Sequence, residues 1–142
     1  MTDSPRLTKA EYERLAAFRF ALRQFLHFSE TAAHAARLAP QQHQALLAIK
    51  GFPGRDWVNV QELAERLHLR HHSVVELVNR LEAERLVRRE PDPSDGRKVR
   101  LRLSARGERV LAKLSAAHRK ELNRIGPQLA RLLAELGNGK PE

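Results

Sequence analysis

The chain has 142 residues, of which 42% are hydrophobic and 30% charged, the balance of a soluble globular domain with a core of its own. Cysteine is absent, which excludes disulfides, thiolate metal sites and a cysteine nucleophile. The formal net charge is +9, and such an excess favours a polyanionic partner, nucleic acid being the commonest.

No apolar run approaches the ~18 residues that a membrane helix needs. The opening stretch MTDSPRLTKAEYERL has no apolar signal core. A cytoplasmic protein with no membrane association is therefore expected. Residues 9 to 36 contain neither proline nor glycine, and Leu15, Phe18, Leu22, Phe25, Leu26 and Ser29 fall at helical spacing. Ala16, Ala17, Phe20 and Phe28 widen the apolar surface beyond one stripe. Such a helix must be buried on more than one side. Its own domain is expected to cover one side and a second subunit the other.

Pro40 suits the first turn of a helix that runs on through Lys50, with Gly51 as its stop. GFPGRDWVN (51–59) reads as a loop. Asn59 and Glu62 form a capping-box pattern that opens a helix over Val60–Leu67, burying Leu63, Ala64 and Leu67. After a turn at His68 and Leu69, a second helix from about His71 to Glu84 carries Val74, Leu77, Val78 and Leu81 as its core stripe. Two short helices joined this way are a helix-turn-helix.

A strand over Leu86–Glu90, a turn at 91–96 and a return strand over Lys98–Leu103 follow. In the return strand Val99, Leu101 and Leu103 face one way and Lys98, Arg100 and Arg102 the other. Between Leu86 and Arg106 lie seven basic and three acidic residues, so nearly half of the net charge sits on this hairpin. Ser104 is the expected N-cap of the next helix, with Val110, Leu111, Leu114, Ala117 and His118 on one side. Gly126-Pro127 is expected to break it, and a last helix to carry Leu129, Leu132, Leu133 and Leu136. The tail GNGKPE is expected to fray.

A basic hairpin directly after a helix-turn-helix is the order of a winged helix. At this point "LAPQQHQALLAI" (38–49) and "VNVQELAERLHLRHHSVVELVNRLEAERLVRREPDPSDGRKVRLRLSARGERVL" (58–111) resemble the multiple antibiotic resistance regulator (MarR) family. The shared features are the LAxxL helix, a recognition helix ending in RLE, an LVxR strand, a D-x-R wing and an L-S-x-x-G step into a long helix. The resemblance implies a mainly α fold with a small β-hairpin wing: a winged helix-turn-helix with N- and C-terminal dimerisation helices. The chain then reads as one MarR-like domain over 1–142. Residues 9–37 and 105–137 would be the dimerisation helices and 40–103 the DNA-binding lobe. The implied function is a homodimeric transcription regulator, usually a repressor, on a pseudo-palindromic site of double-stranded DNA. A small aromatic or anionic effector would commonly release it. The chain departs from the family pattern at Ala39, where threonine is frequent. It departs again at Arg85, where glycine often ends the recognition helix, so that another residue must take the left-handed conformation or the helix must end differently.

With the core stripe inward, the recognition helix presents Arg70, His71, His72, Ser73, Val75, Glu76, Asn79 and Arg80 as candidate DNA-binding residues. Histidine can donate to guanine or phosphate, Val75 can meet a thymine methyl, and Glu76 can accept from cytosine or pair with Arg80. Ser73 suits a phosphate at the helix N-terminus. In the wing, Arg97 is the candidate for the minor groove, because Gly96 lets the tip approach closely. Asp95 is expected to orient an arginine, and Lys98, Arg100 and Arg102 are candidate phosphate contacts.

His27, His34 and His118 invite a metal reading, but zinc wants three or four closely disposed ligands and no short HxxxH pattern occurs. No metal or cofactor is expected. Ser73 beside two histidines has no carboxylate-oriented base in a cleft, so no catalytic residue is assigned and an enzyme is not expected. Phe25, His27, Phe28, His43 and Trp57 are candidates for lining an effector pocket. The alternatives to a ligand-released repressor are a zinc- or pH-responsive regulator, or a winged helix that binds protein and reads no specific DNA.

Overall fold

The computed structural model describes residues 4–137; most of the tail expected to fray, residues 138–142, lies outside them. The elements run α1 (Lys9–Ala35), α2 (Pro40–Lys50), β1 (Trp57–Val58), α3 (Val60–Leu67), α4 (His71–Ala83), β2 (Val87–Pro91), β3 (Val99–Leu103) and α5 (Ala105–Gly137). The strands form one antiparallel sheet in the order β1-β3-β2. Trp57 pairs with Arg102 and Val58 with Leu101. On the other edge Val87 pairs with Leu103 and Pro91 with Val99. The chain divides into two compact units: Glu30–Ala116, and the residues up to Ser29 with those from Ala117 onward.

The Glu30–Ala116 unit holds the core. Leu46 and Ile49 of α2, Leu63 of α3, and Val74, Val78 and Leu81 of α4 meet Val58, Leu86 and Leu101, each at most 1% exposed. The core stripe of α4 is the one its spacing requires. Leu101 and Leu103 are buried as expected, but Val99, nearer the wing tip, is exposed. The strand alternation continues there after the core has ended.

Three helices stop in the same way. Leu38, Leu69 and Leu86 donate their N–H back to Ala33, Ala64 and Leu81. The residues before them, Arg37, His68 and Arg85, take φ of 63°, 54° and 61°. These are Schellman caps with an arginine or histidine where glycine is usual. A cationic side chain also suits the negative end of a helix dipole. At the end of α4, Arg85 itself adopts the left-handed conformation, so no neighbour has to.

Two expectations are corrected. Trp57 and Val58 are a strand and no mere loop; two residues are too few to show a period. And Pro127 does not break the last helix, because α5 runs unbroken to Gly137. Proline removes one N–H and its ring crowds the Cβ of the preceding residue. Here that residue is Gly126, which has no Cβ. The carbonyl that loses its partner belongs to Asn123, which is exposed and can take water instead.

Candidate nucleic-acid interface

The helix-turn-helix is set by local chemistry. Asn59 Oδ1 accepts the Glu62 N–H at 2.8 Å, and Glu62 Oε1 accepts the Asn59 N–H at 2.9 Å, the reciprocal capping box that the sequence spells. Helix α4 begins differently. Its N-cap is Arg70, and no side chain caps the first turn. The first N–H groups of a helix have no intrahelical partner and attract anions. Arg70, His71 and His72 surround that end, all exposed, with Ser73 half-buried.

Further along α4, Glu76, Asn79 and Arg80 are exposed and Val75 is half-buried. Among the described residues no ion pair joins Glu76 to Arg80, so the carboxylate stays on the solvent side of the helix. Asn79 is engaged: its Oδ1 accepts from Arg89 Nη2 at 2.5 Å, and Arg89 also faces Glu82 at 3.5 Å. Arg89 thus ties strand β2 to the recognition helix, a role that sequence reasoning missed because the contact is not at a helical or strand period.

The far end of α4 is fastened to the start of α5. Ser104 Oγ donates to the Arg85 carbonyl at 2.5 Å and accepts the Gly107 N–H at 3.0 Å. The Ser104 N–H donates to the Leu86 carbonyl at 3.0 Å. Gly107 lies so near that a Cβ there would sit 2.0 Å from the Leu86 carbonyl oxygen. At α2, Gln42 Oε1 accepts from the Ala39 N–H at 2.8 Å, and its Nε2 donates to Glu84 at 2.8 Å. Gln42 therefore supplies the cap interaction that Ala39 lacks, and holds the last turn of α4 from a third side.

In the wing, Asp92 Oδ1 accepts both the N–H (2.8 Å) and the hydroxyl (2.6 Å) of Ser94. Those bonds first, and the Arg100 guanidinium after them, hold the Asp92 carboxyl below its ordinary pKa. Asp95 Oδ1 accepts the Arg97 N–H at 3.1 Å and its Nε at 3.3 Å. Asp95 thus orients the arginine of its own turn, while the Arg97 side chain remains 93% exposed at the tip. Lys98 is exposed beside it.

The two remaining strand cations are not free. Arg100 is 24% exposed, faces Asp92 at 3.6 Å and lies over Trp57. Arg102 pairs with Asp56 at 2.5 Å and with Glu90 at 3.2 Å. Glu90 also takes Arg88 at 3.1 Å. The outer face of the sheet is therefore a compensated ion network, and the open cations are at the wing tip and along α4. The aspartates that compensate Arg100 and Arg102 lie 8 and 46 positions away, outside any strand period.

The effector candidates separate. Phe25 and Phe28 both set their rings edge-on to His118, at 6.0 and 5.4 Å, and His118 Nε2 is 2.8 Å from Ser29 Oγ. In the same unit an open cleft of about 450 Å³ is lined by Phe28, Ala117, Lys120, Glu121 and Arg124. His27 is exposed. His43 and Trp57 belong to the other unit. His43 is 4% exposed within α2, and Trp57 is sandwiched between two arginines. Among the described residues no group of three or more His, Asp or Glu is disposed to hold a metal ion. No described helix is long and apolar enough to cross a membrane.

A helix pair whose first member is capped by Asn59, a second helix open at its cationic end and a three-stranded wing define a winged helix-turn-helix fold. Residues 38–98 match the MarR family model. The fold is similar to that of AbsC, a MarR family transcriptional regulator from Streptomyces coelicolor: 23% identity, TM-score 0.73, 94% of this chain and 90% of that one covered. It is similar to an S. aureus MepR mutant bound to an oligodeoxyribonucleotide, at 17% identity and TM-score 0.67, covering 92% and 99% of the two chains. It is also similar to NadR in complex with 4-hydroxyphenylacetate, at 22% identity and TM-score 0.66, covering 99% and 100%. Curated protein sequences give no match.

Proposed function

We propose that this chain is a cytoplasmic, sequence-specific transcription regulator that binds a pseudo-palindromic operator as a homodimer and represses from it. The carrying observation is the pairing of an uncapped, cationic N-terminus on α4 with a 93% exposed Arg97 on a pinned wing tip. The first suits phosphates and the edges of the major groove, the second a narrow minor groove. His71, His72, Val75 and Glu76 are the residues to read bases. Arg70, Ser73, Arg80 and Lys98 suit phosphates. Arg100, Asn79 and Asp95 act behind them, as supports.

The homodimer reading rests on apolar side chains left open in the unit formed by the two chain ends. Tyr12, Phe20 and Leu26 are 57%, 63% and 55% exposed, and Leu133 is 55% exposed. A surface of that kind marks a protein contact. Release by a small aromatic acid is supported by the cleft that sets Phe28 beside Lys120 and Arg124. The NadR complex with 4-hydroxyphenylacetate is a precedent in that protein. Release requires only that the acid bind better to a dimer whose recognition helices are badly spaced for DNA.

The experiment is fluorescence anisotropy of the purified protein on DNA from upstream of its own gene and on a scrambled duplex, across a salt series. Selective binding with a steep salt slope is expected, since each phosphate contact adds to that slope. Equal, salt-labile binding to both duplexes would remove specificity from the reading.

A further inference from the structure

Five side chains alternate cation and ring from the wing, through the loop before α3, to α3 itself. The Arg100 guanidinium lies 3.7 Å from the Trp57 ring centroid, and Arg55 lies 3.9 Å from it. Arg55 also covers Phe52 at 4.3 Å, and Arg66 reaches that same ring at 4.9 Å. Both arginines of the Trp57 sandwich are anchored. Arg100 faces Asp92, whose other oxygen holds Ser94 in the tip turn. Arg55 pairs with Glu62, whose second oxygen accepts from Asn59 in the α3 capping box.

The column is also shielded. Arg100, Asp92, Arg55 and Glu62 have side chains 24%, 14%, 24% and 22% exposed. Cation–ring attraction strengthens as water is withdrawn. The Arg100 Nε is buried with no hydrogen-bond partner, so the ring and the carboxylate set the direction of that guanidinium. One unbroken line of contacts therefore joins the wing's tip turn to the N-terminus of the helix-turn-helix. It passes through the single tryptophan of the chain.

We infer that Trp57 is a positioning residue for DNA reading: through Arg100 and Asp92 it fixes the wing tip relative to α3 and α4. This rests on the DNA-binding function proposed above. Trp57 itself touches no base. It makes Arg97 in the flanking minor groove and α4 in the major groove parts of one rigid reader. A wing freed from the column would still carry Arg97, but the arginine would no longer arrive in register with the half-site.

The test uses a duplex enriched by the wild-type protein from a random-sequence library, and copies of it with A·T-rich or G·C-rich flanks. Wild type is expected to prefer the A·T flank by about tenfold, the scale of one base-pair discrimination. Trp57→Leu should cut that preference to under twofold and leave discrimination among half-site bases intact. Trp57→Phe should restore most of it, because the ring returns. In the Trp57→Leu background, Arg97→Ala should have little left to remove.

Arg100→Lys keeps the charge and loses the planar face. It should reproduce the flank effect and red-shift the Trp57 emission without loss of helix, and it carries the test alone if Trp57→Leu fails to fold. Flank preference retained in Trp57→Leu or Arg100→Lys overturns the inference, as does an equal loss on every duplex. Enrichment of no duplex by the wild type would instead refute the DNA reading itself, a separate outcome.

Discussion

Gly107→Ala is the smallest change that should disturb this structure most. A Cβ at 107 would stand 2.0 Å from the Leu86 carbonyl oxygen and 3.0 Å from its carbon. An ordinary carbon–oxygen contact is about 3.3 Å, so backbone must recede by more than 1 Å. Neither side can give easily. Leu86 is 1% exposed and completes the Schellman cap of α4, and the first turn of α5 is bonded to it through Ser104. The strain of overpacking is about 1–3 kcal/mol, and each of the two Ser104 hydrogen bonds at risk adds about 1 kcal/mol. The expected loss is about 3–5 kcal/mol. For a chain of this size that lowers Tm by about 6–20 °C. The assay is thermal and urea unfolding followed by circular dichroism at one fixed protein concentration, since the stability of the proposed dimer would depend on concentration. Gly126→Ala in the same helix is the comparison. Beyond its chain neighbours its Cβ would meet nothing within 4 Å, but the Pro127 ring would crowd it. That crowding offsets the helix preference of alanine, about 0.5–1 kcal/mol, so the variant should stay within about 1 kcal/mol of wild type. A Gly107→Ala protein within about 1 kcal/mol of wild type would refute the argument from close approach.

Arg85→Gly should stabilise the fold by about 0.5–1 kcal/mol: the left-handed conformation costs arginine about 1–2 kcal/mol, and glycine's greater freedom when unfolded returns part of that. A lower urea midpoint would show that the cationic end of the helix outweighs the backbone. Arg97→Ala should weaken binding mainly to A·T-rich flanks, while His72→Ala should change base preference within the half-site; equal losses on every sequence would mean that the roles of wing and helix are wrongly divided. The wing turn should resist acid. Because Asp92 titrates below its ordinary value when folded, its contribution is complete above the unfolded carboxylate range and is lost only as pH falls through the lowered folded value. The acid transition of the wing-tip amide shifts followed by NMR should therefore fall below that of an ordinary aspartate, and Asp92→Asn should abolish it. Phe20→Asp should shift the protein from dimer to monomer in sedimentation velocity; an unchanged dimer would locate the interface elsewhere.

What was legible in the sequence was mostly local. The Asn59–Glu62 capping box, the stripe Val74, Leu77, Val78 and Leu81, and the Ser104 cap all depend on residues three or four apart, and period alone finds them. The hairpin was legible because two prolines, two aspartates and a glycine separate alternating runs. The end of α4 was half legible: the missing glycine at 85 was visible, but not that arginine would accept the strained conformation itself. Gly126-Pro127 misled, since the pair that punctuates most chains is also the pair in which proline meets no Cβ. The site was legible as a set of outward positions on α4 and the wing. It was not legible which cations were free. Arg89 to Asn79, Arg102 to Asp56 and Arg100 to Trp57 join residues 10, 46 and 43 apart, and only the folded sheet brings them together.

The central claim is that α4 and the Arg97 wing read a defined double-stranded sequence as a symmetric pair. Selection of bound duplexes from a random library by the purified wild-type chain tests it most directly. An inverted repeat is expected, with half-sites about one helical turn apart, ~34 Å centre to centre, flanked by A·T-rich steps. Enrichment of no sequence, or of a motif without two-fold symmetry, would contradict it.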